Sequence, residues 1–270
     1  MLIFCSDSSN LGRLDYASLS QQAIMEMVID GIENSEIICG SKDAPKDILE
    51  WKRITFEDET VTKIQWNHTK INGSIYFQWL PATVTSFHVN QNNLQGTIEW
   101  NMLPESLAYF DIPHNSFSGE IDLAHLPEKM KRLSASNNRL SGTLNLEKLP
   151  SMMKSLYLSN NLFKGTVSLT NLPRAIIYLR LDSNSLSGTI NVTRLPESMV
   201  SLSLGRNDFV GSTDFGHLPN SLGLLSVEYT QLEGTIPNIY RNLTLAIDVS
   251  NVVTCEKRAT LAESRTDEEK

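Results

Sequence analysis

Residues 176–196 read IIYLRLDSNSLSGTINVTRLP, and nearly the same pattern occurs as MKSLYLSNNLFKGTVSLTNLP at 153–173 and as MKRLSASNNRLSGTLNLEKLP at 130–150. Self-similarity at a fixed period is the sequence signature of a solenoid, in which each copy buries its apolar side against the next one. The rest of the chain is therefore interpreted either as further copies of this unit or as caps for the ends of the stack.

The pattern has a period of 23 residues, and eight units cover residues 61–244. We number these units 1 to 8 from the N-terminal end. Positions four and six of every unit are apolar, which is the alternation of a strand with one buried face. Glycine occupies position 13 of all eight units. The sequence therefore predicts one parallel strand per unit, followed by a tight turn.

Asparagine occupies position nine in six of the eight units. An inward-pointing asparagine offers two donors and an acceptor, so it can satisfy backbone groups on its own coil and on a neighbouring one. The residues to which the sequence assigns this structural role are Asn92, Asn115, Asn138, Asn161, Asn184 and Asn207.

The pattern L-x-x-L-x-L-x-x-N-x-L-x-G-T-I, present at 176–190, resembles a leucine-rich repeat. The Gly-Thr-Ile continuation is similar to the plant-receptor type and to protist leucine-rich-repeat proteins. The resemblance implies an α/β solenoid, a curved coil with a parallel β-sheet on its concave face and a short N-terminal helical cap. It also implies a receptor-like or scaffold protein that binds other proteins. It does not identify the ligand, because the shared positions are the buried ones.

Segments outside the units are predicted to cap the stack. Residues 1–60 form the N-terminal cap, with a helix at about 19–32 and a strand segment at 51–60. A capping box of Ser18 and Gln21 is predicted to begin the helix. The segments that follow unit 8 are a degenerate C-terminal cap strand at 245–254 and a disordered tail at 255–270.

Composition places the chain with globular proteins, at 270 residues, 40% hydrophobic and a net charge of −8. The acidic balance argues against a nucleic-acid partner, and no run is long enough to span a membrane as a helix. The first ten residues lack the basic start and apolar region of a signal peptide. We expect a cytoplasmic protein if the chain is complete, and a secreted or cell-surface one if an N-terminal signal was truncated.

Residue types that carry catalysis or bind metals are sparse, and we predict neither an enzyme nor a cofactor. His88 and Asp111 fall in one column of adjacent strands, where their side chains can touch, but the remaining histidines do not complete a metal site. The three cysteines are expected to be reduced, with a Cys5–Cys39 bond left open. Pro113 removes a backbone donor and is predicted to disturb the sheet locally.

Positions two, three, five, seven and eight of each unit are predicted to be exposed on the concave strands, where solenoids bind their partners. In units 4 to 7 these positions carry Lys131 and four further cations against a single carboxylate, a net charge of +4. Tyrosine and arginine together are typical of interface hot spots. The predicted partner-binding residues are Tyr109, Asp111, Arg132, Lys154, Tyr157, Tyr178, Arg180, Asp182, Arg206 and Tyr229.

The sequence therefore predicts a non-catalytic recognition module whose partner is a protein or peptide with an acidic surface. An extracellular receptor-like or carbohydrate-binding ectodomain is the alternative, since the same tyrosines can stack on sugars. The sequence does not indicate an oligomeric state.

Overall fold

The computed structural model describes residues 19–240 and 242–254, which form a β-solenoid. Two helices, α1 (Gln21–Ile29) and α2 (Glu36–Cys39), precede the strands. In chain order the strands are β1 (Ile54–Glu57), β2 (Thr60–Gln65), β3 (Asn72–Ser74), β4 (Ser86–His88), β5 (Asn93–Gly96), β6 (Tyr109–Asp111), β7 (Ser116–Glu120), β8 (Arg132–Ser134), β9 (Arg139–Gly142), β10 (Ser155–Tyr157), β11 (Leu162–Gly165), β12 (Tyr178–Arg180), β13 (Ser185–Gly188), β14 (Ser201–Ser203), β15 (Asp208–Ser212), β16 (Leu224–Ser226), β17 (Gln231–Ile236), β18 (Thr244–Ala246) and β19 (Asn251–Thr254).

Each coil contributes one strand to each of two sheets. The ten-stranded sheet has the order β1-β2-β4-β6-β8-β10-β12-β14-β16-β18, and we call it the concave sheet after the predicted face. The second sheet has the order β19-β17-β15-β13-β11-β9-β7-β5-β3. The described pairings are parallel, except that β1 pairs with β2 in antiparallel orientation. The predicted solenoid of stacked parallel strands is confirmed.

The core runs along the inside of the coils and is built from the predicted apolar positions. The position-four side chains Phe87, Phe110, Leu133, Leu156 and Leu179 have no exposed surface. In units 1 to 3 the core is aromatic, and the Phe77 ring makes edge contacts with the rings of Phe87 and Phe110. The position-four side chain is one of several apolar side chains that each coil buries, and their combined burial stabilises the stack.

The two sheets stack with different registers. In the concave sheet Phe87 pairs with Phe110, 23 residues further along the chain. In the second sheet Gly96 pairs with Phe117, 21 residues further along. A shift of two residues preserves the alternation of side chains, so each strand keeps its apolar side toward the core. The coils are therefore staggered in the second sheet without any change in which residues are buried.

The position-nine asparagines connect neighbouring coils from inside the turn. In Asn161 the Nδ2 group donates to the carbonyl oxygens of Ala135 (3.0 Å) and Leu158 (3.1 Å). Its Oδ1 atom accepts from the backbone N–H of Leu140 at 3.0 Å. Leu158 belongs to the asparagine's own coil, whereas Ala135 and Leu140 belong to the preceding coil. The column of position-nine asparagines thus provides hydrogen-bond partners for backbone groups at the turn between the two sheets.

The Leu-Pro pairs end the return segments with a tight turn. The carbonyl oxygen of Pro104 accepts from the N–H of Leu107 at 2.9 Å, and Pro127 and Met130 repeat this contact at 2.9 Å. Before these turns lie short 3₁₀ helices, at Phe77–Trp79, Trp100–Met102, Leu123–His125 and Leu146–Lys148.

Helix α1 covers the first coil and differs from the predicted helix in how it begins. Ser20 is the N-cap, and its hydroxyl accepts from the N–H of Ala23 at 3.2 Å. Gln21 does not close a capping box, because its Oε1 atom accepts from the N–H of Val61 at 2.6 Å and so ties the helix to β2. The proposed partner Ser18 lies outside the described residues.

The predicted strand segment at 51–60 contains the first strand and the turn of a β-hairpin. Strand β1 ends at Glu57 and β2 begins at Thr60. Asp58 and Glu59, between them, have φ values of 46° and 61°. Two successive positive φ values characterise the two-residue turn that joins antiparallel strands. The alternating pattern in the sequence therefore belongs to two strands that fold back on each other.

Beyond unit 8 the chain adds one more coil, since β18 extends the concave sheet and β19 extends the second sheet. The predicted cap strand at 245–254 thus corresponds to two short strands, the first of which begins at Thr244. The predicted tail at 255–270 lies outside the described residues.

Pro113 leaves the concave sheet undisturbed, so that prediction is wrong. Strand β6 has three residues and regular pairing, like its neighbours. Pro113 comes after the strand, where its carbonyl oxygen accepts from the N–H of Gln91 at 3.0 Å. The N–H groups of its two neighbours, Ile112 and His114, donate to Ser134 and Ser136 of the next coil, so the pairing continues past Pro113 without a donor at that residue.

Candidate partner-binding face

Positions three and five of each unit point outward from the concave sheet because position four between them is buried. The position-three column contains Tyr109, Arg132 and Tyr178, and the position-five column contains Asp111, Tyr157 and Arg180. Parallel pairing at a constant register stacks these side chains in two rows across neighbouring strands. The predicted partner-binding residues in these columns therefore share one surface.

Tyr157 lies at the centre of this surface, between two guanidinium groups. The Cζ atom of Arg132, from unit 4, is 4.9 Å from the centroid of the Tyr157 ring, and that of Arg180, from unit 6, is 5.6 Å away. The ring of Tyr178 lies 6.3 Å from that of Tyr157 and is tilted by 34°. Each cation is attracted by the negative face of the aromatic ring, which restricts long and otherwise flexible side chains.

Arg132 is also held by a chain of hydrogen bonds between side chains of β6 and β4, the two strands before it in the concave sheet. Its Nε–H donates to Asp111 Oδ1 at 2.8 Å, and Asp111 Oδ2 lies 3.0 Å from His88 Nδ1. His88 Nε2 in turn lies 2.6 Å from Ser86 Oγ. The sequence prediction that His88 and Asp111 touch agrees with this geometry, but it missed Ser86 and Arg132. The contact between Ser86 and His88 could have been predicted, because Ser86 lies two residues from His88 on the same face of β4.

The order Ser86–His88–Asp111 is that of a nucleophile, a base and a carboxylate that orients the base. However, Ser86 is only 7% exposed, and the carboxylate that orients His88 also binds Arg132. We therefore interpret this hydrogen-bonded chain as a support that fixes the Arg132 guanidinium on the surface through its Nε–H group.

A second aromatic–cation pair lies two strands further along. The Arg206 Cζ atom is 4.2 Å from the centroid of the Tyr229 ring, and Arg206 Nε is 3.4 Å from a carboxylate oxygen of Glu228. Asp182 accepts a hydrogen bond from Ser159 Oγ at 2.7 Å. The carboxylate and cation predicted at this end of the surface are therefore already engaged with neighbours.

These contacts reduce the number of cations without a carboxylate partner on the surface that the sequence predicts. Arg132 is paired with Asp111 and Arg206 with Glu228, and both carboxylates lie in units outside 4 to 7. Among the ion pairs of residues 19–240 and 242–254, none involves the remaining three cations of the predicted surface, which are Lys131, Lys154 and Arg180. The cations without an ion-pair partner therefore lie in units 4 to 6, where the charge of Asp182, bound to a neutral hydroxyl, offsets one of the three.

The other candidates for chemistry do not form a site. Within the described part of the chain, no three His, Cys, Asp or Glu side chains are grouped so that they could hold a metal ion. Cys39 is buried, and its thiol donates to the carbonyl oxygen of Ser35 at 3.1 Å. Cys5 and Cys255 lie outside the described residues. None of the described helices is both long enough and apolar enough to cross a bilayer.

Comparison with known proteins gives a likeness in structure alone. No protein-family model matches the chain, and no curated protein matches it. The leucine-rich-repeat ectodomain of the plant membrane receptor kinase GASSHO1/SCHENGEN3 from Arabidopsis thaliana, solved with CASPARIAN STRIP INTEGRITY FACTOR 2, is 22% identical with a TM-score of 0.63. That match covers 86% of this chain and 32% of the receptor chain, so the chain spans about a third of its length.

Two further structures show the same likeness. The PEPR1–AtPEP1 structure is 18% identical with a TM-score of 0.53, and the match covers 86% of this chain and 42% of that one. Pollen Receptor Kinase 3 is 19% identical with a TM-score of 0.50, and the match covers 86% of this chain and 95% of that one. These comparisons establish the fold, and the predicted leucine-rich-repeat solenoid is confirmed.

Proposed function

We propose that the chain is a non-catalytic recognition module that binds an acidic segment of a protein or peptide on its concave sheet. The observation that carries this proposal is the Tyr157 ring with the guanidinium groups of Arg132 and Arg180 on it. Arginine and tyrosine dominate the energy of protein interfaces because they combine a large apolar area with directed donors. Among the described ion pairs none involves Arg180, nor Lys131 and Lys154 on the neighbouring strands, on a protein whose net charge is −8.

The structural neighbours support a binding role. The GASSHO1/SCHENGEN3 ectodomain was solved in complex with CASPARIAN STRIP INTEGRITY FACTOR 2, and PEPR1 with AtPEP1. A solenoid of this type presents its rigid strands side by side, so a partner can contact several coils at once. The tyrosines at the edges of the face, Tyr109 and Tyr229, are 41% and 45% exposed and extend the surface over units 3 to 8.

The test is affinity capture from the native cell with the full chain and with Arg180→Glu. Because Arg180 has no carboxylate partner among the described ion pairs, its reversal should weaken capture of acidic partners by at least about tenfold. Reversal of Arg206, which is already paired with Glu228, should have a smaller effect.

Lys164→Glu is the matched control, since Lys164 is an exposed cation on β11 of the second sheet. It changes the net charge by the same amount and should leave capture unchanged. Equal capture by the Arg180→Glu variant and the wild type would contradict the proposal. Binding on a glycan array, retained by the Arg180→Glu variant, would instead favour a carbohydrate ligand that stacks on the tyrosines.

A further inference from the structure

The chain contains four Asn-x-Ser/Thr motifs, which begin at Asn67, Asn72, Asn191 and Asn242. This motif accepts N-linked sugars, which are bulky and therefore fit only an asparagine on the surface of the folded protein. The three-residue motif occurs by chance in many sequences, so it does not identify a modification site by itself. The contacts of the amide nitrogen, the atom that would carry the sugar, distinguish the four asparagines.

Asn191 is exposed, and its amide nitrogen is free of hydrogen bonds to the described residues. Its Oδ1 atom accepts from the backbone N–H of Thr193 at 2.9 Å and from the Thr193 hydroxyl at 2.7 Å. Val192, between these two residues, is only 1% exposed and anchors the segment in the core. The segment is therefore held by Val192 and by the amide oxygen, while Nδ2 is left for a substituent.

The contact that Asn191 makes recurs in the return segments of other units. Asp122 and Asp214 occupy the same position in units 3 and 7, and their Oδ1 atoms accept from the N–H groups of Ala124 at 3.0 Å and Gly216 at 2.8 Å. A side-chain oxygen that accepts from the N–H two residues on stabilises such a turn. Since a carboxylate provides this contact without any nitrogen, the turn does not require the Nδ2 group of Asn191.

In Asn72 the amide nitrogen already has a structural role. Its Nδ2 group donates to a carboxylate oxygen of Glu33, and its backbone N–H donates to Asn34 Oδ1 at 3.0 Å. The Asn72 carbonyl oxygen accepts from the N–H of Glu33 at 3.0 Å. These bonds join the N-terminal cap to the first coil. A sugar on Nδ2 would replace one of them and would separate the two parts.

Asn67 is half-buried, and its side chain connects two coils. Its Oδ1 atom accepts from the N–H of Asn90 at 3.0 Å, and its carbonyl oxygen accepts from the guanidinium group of Arg53. An enzyme that modifies Asn67 would have to disturb these contacts to reach it. Asn242 directly follows residue 241, which lies outside the described residues, and the comparison is therefore made among the other three asparagines.

We propose that Asn191 is an acceptor site for an N-linked sugar on the folded protein, and that Asn67 and Asn72 are not. In the transfer from a sugar diphosphate, C1 of the sugar forms a bond to Asn191 Nδ2 and its bond to the diphosphate breaks. The diphosphate leaves with the electron pair, and Nδ2 loses one proton. Asn191 follows β13 of the second sheet and lies outside the concave sheet, so this site is independent of the proposed function.

The experiment treats the folded full chain with an N-glucosyltransferase that recognises the Asn-x-Ser/Thr motif, with UDP-glucose as the donor. Mass spectrometry of proteolytic peptides measures the rate at which each asparagine gains one glucose. Synthetic peptides that each contain one motif give the rate without the fold. We expect Asn191 in the chain to react within about threefold of its peptide, and Asn67 and Asn72 to react at least about tenfold more slowly than theirs, because folded contacts protect them.

Asn191→Asp is the matched control, because aspartate occupies this position in units 3 and 7 and keeps the oxygen that accepts from Thr193. This variant should have the Tm of the wild type and should gain no glucose at residue 191. A reaction of Asn191 at least about tenfold slower than that of its peptide would overturn the inference. Modification of Asn72 in the folded chain at the rate of its peptide would overturn it as well.

Discussion

Position eight of every unit has a left-handed backbone, whichever residue occupies it. The φ values of these eight residues fall between 53° and 58°. Only glycine adopts this region without a steric penalty, and asparagine tolerates it better than most residues. The residues at this position are His68, Gln91, His114, Asn137, Asn160, Ser183, Arg206 and Tyr229. The turn therefore imposes its conformation on side chains that do not favour it.

We predict that Gln91→Gly raises the stability of the protein. Gln91 is exposed and has a φ of 53°, so glycine removes the steric conflict of its Cβ atom. The expected gain is up to about 1 kcal/mol in the free energy of unfolding, measured by urea denaturation. Gln95→Gly is the control, because Gln95 is exposed on β5 and should lose about 0.5–1 kcal/mol. A loss in both variants would show that the left-handed turn stores no strain.

At Arg206 and Tyr229, position eight also carries side chains that form an aromatic–cation pair. Neither residue type favours a left-handed backbone. The Arg206 Cζ atom nevertheless lies 4.2 Å from the centroid of the Tyr229 ring. What these residues contribute is therefore the side chain rather than the turn.

At the scale of single elements, two return segments repeat an Asp-x-x-His arrangement. Asp122 Oδ2 lies 2.6 Å from His125 Nδ1, and Asp214 Oδ2 lies 2.9 Å from His217 Nδ1. The hydrogen bond from His125 is the main reason why the pKa of Asp122 is below its usual value. For Asp214 the main cause of the lowered pKa is the backbone N–H of Gly216, and His217 acts less strongly.

We therefore predict that His125→Ala raises the pKa of Asp122 toward its ordinary value, and that His217→Ala also raises the pKa of Asp214. Titration of the two carboxyl groups by NMR measures both changes. Since both pKa values are lowered on folding, the stability that these carboxylates contribute is present above the ordinary aspartate pKa. It is lost as the pH falls through the lowered pKa. An unchanged pKa of Asp122 in the His125→Ala variant would contradict this assignment of causes.

The sequence predicts the elements that depend on a strict period and misses those that do not. Apolar residues at positions four and six predicted the strands, because burial at these positions is the same in every coil. The hairpin at Asp58 and Glu59 has no such repeat, and neither residue type indicates a positive φ as glycine does. The left-handed position eight is hidden for the same reason, since its residue types vary.

The sequence predicts the columns of the candidate site and the contact between His88 and Asp111, but not its other contacts. The period places Asp111 and Arg132 on neighbouring strands, at positions five and three. It does not show that the arginine reaches diagonally to the carboxylate, nor that Glu228 neutralises Arg206. Long side chains choose among several neighbours at similar distances, and the local rotamers and packing decide. The sequence therefore overestimates the free positive charge of this face.

At the scale of the whole molecule, stability is distributed along the stack. Each coil contacts its neighbours through two strand pairings, a buried core position and an asparagine, and nearly every coil repeats these contacts. The stability of such a solenoid is approximately a sum of unit and interface contributions. Helix α1 covers the first coil, where Gly31 approaches Gly73 so closely that a Cβ atom on Gly73 would clash with the Gly31 carbonyl oxygen.

This regularity predicts that deletion of residues 153–175, one complete unit, leaves a folded solenoid. Strand β8 would then pair with β12 in the register that both now have with β10, and Asn184 would meet the backbone groups that Asn161 now satisfies. A thermal melt followed by circular dichroism should remain cooperative at a lower Tm. Deletion of 153–163, about half a unit, breaks the register and should abolish the transition, whereas loss of folding in both variants would contradict additive coils.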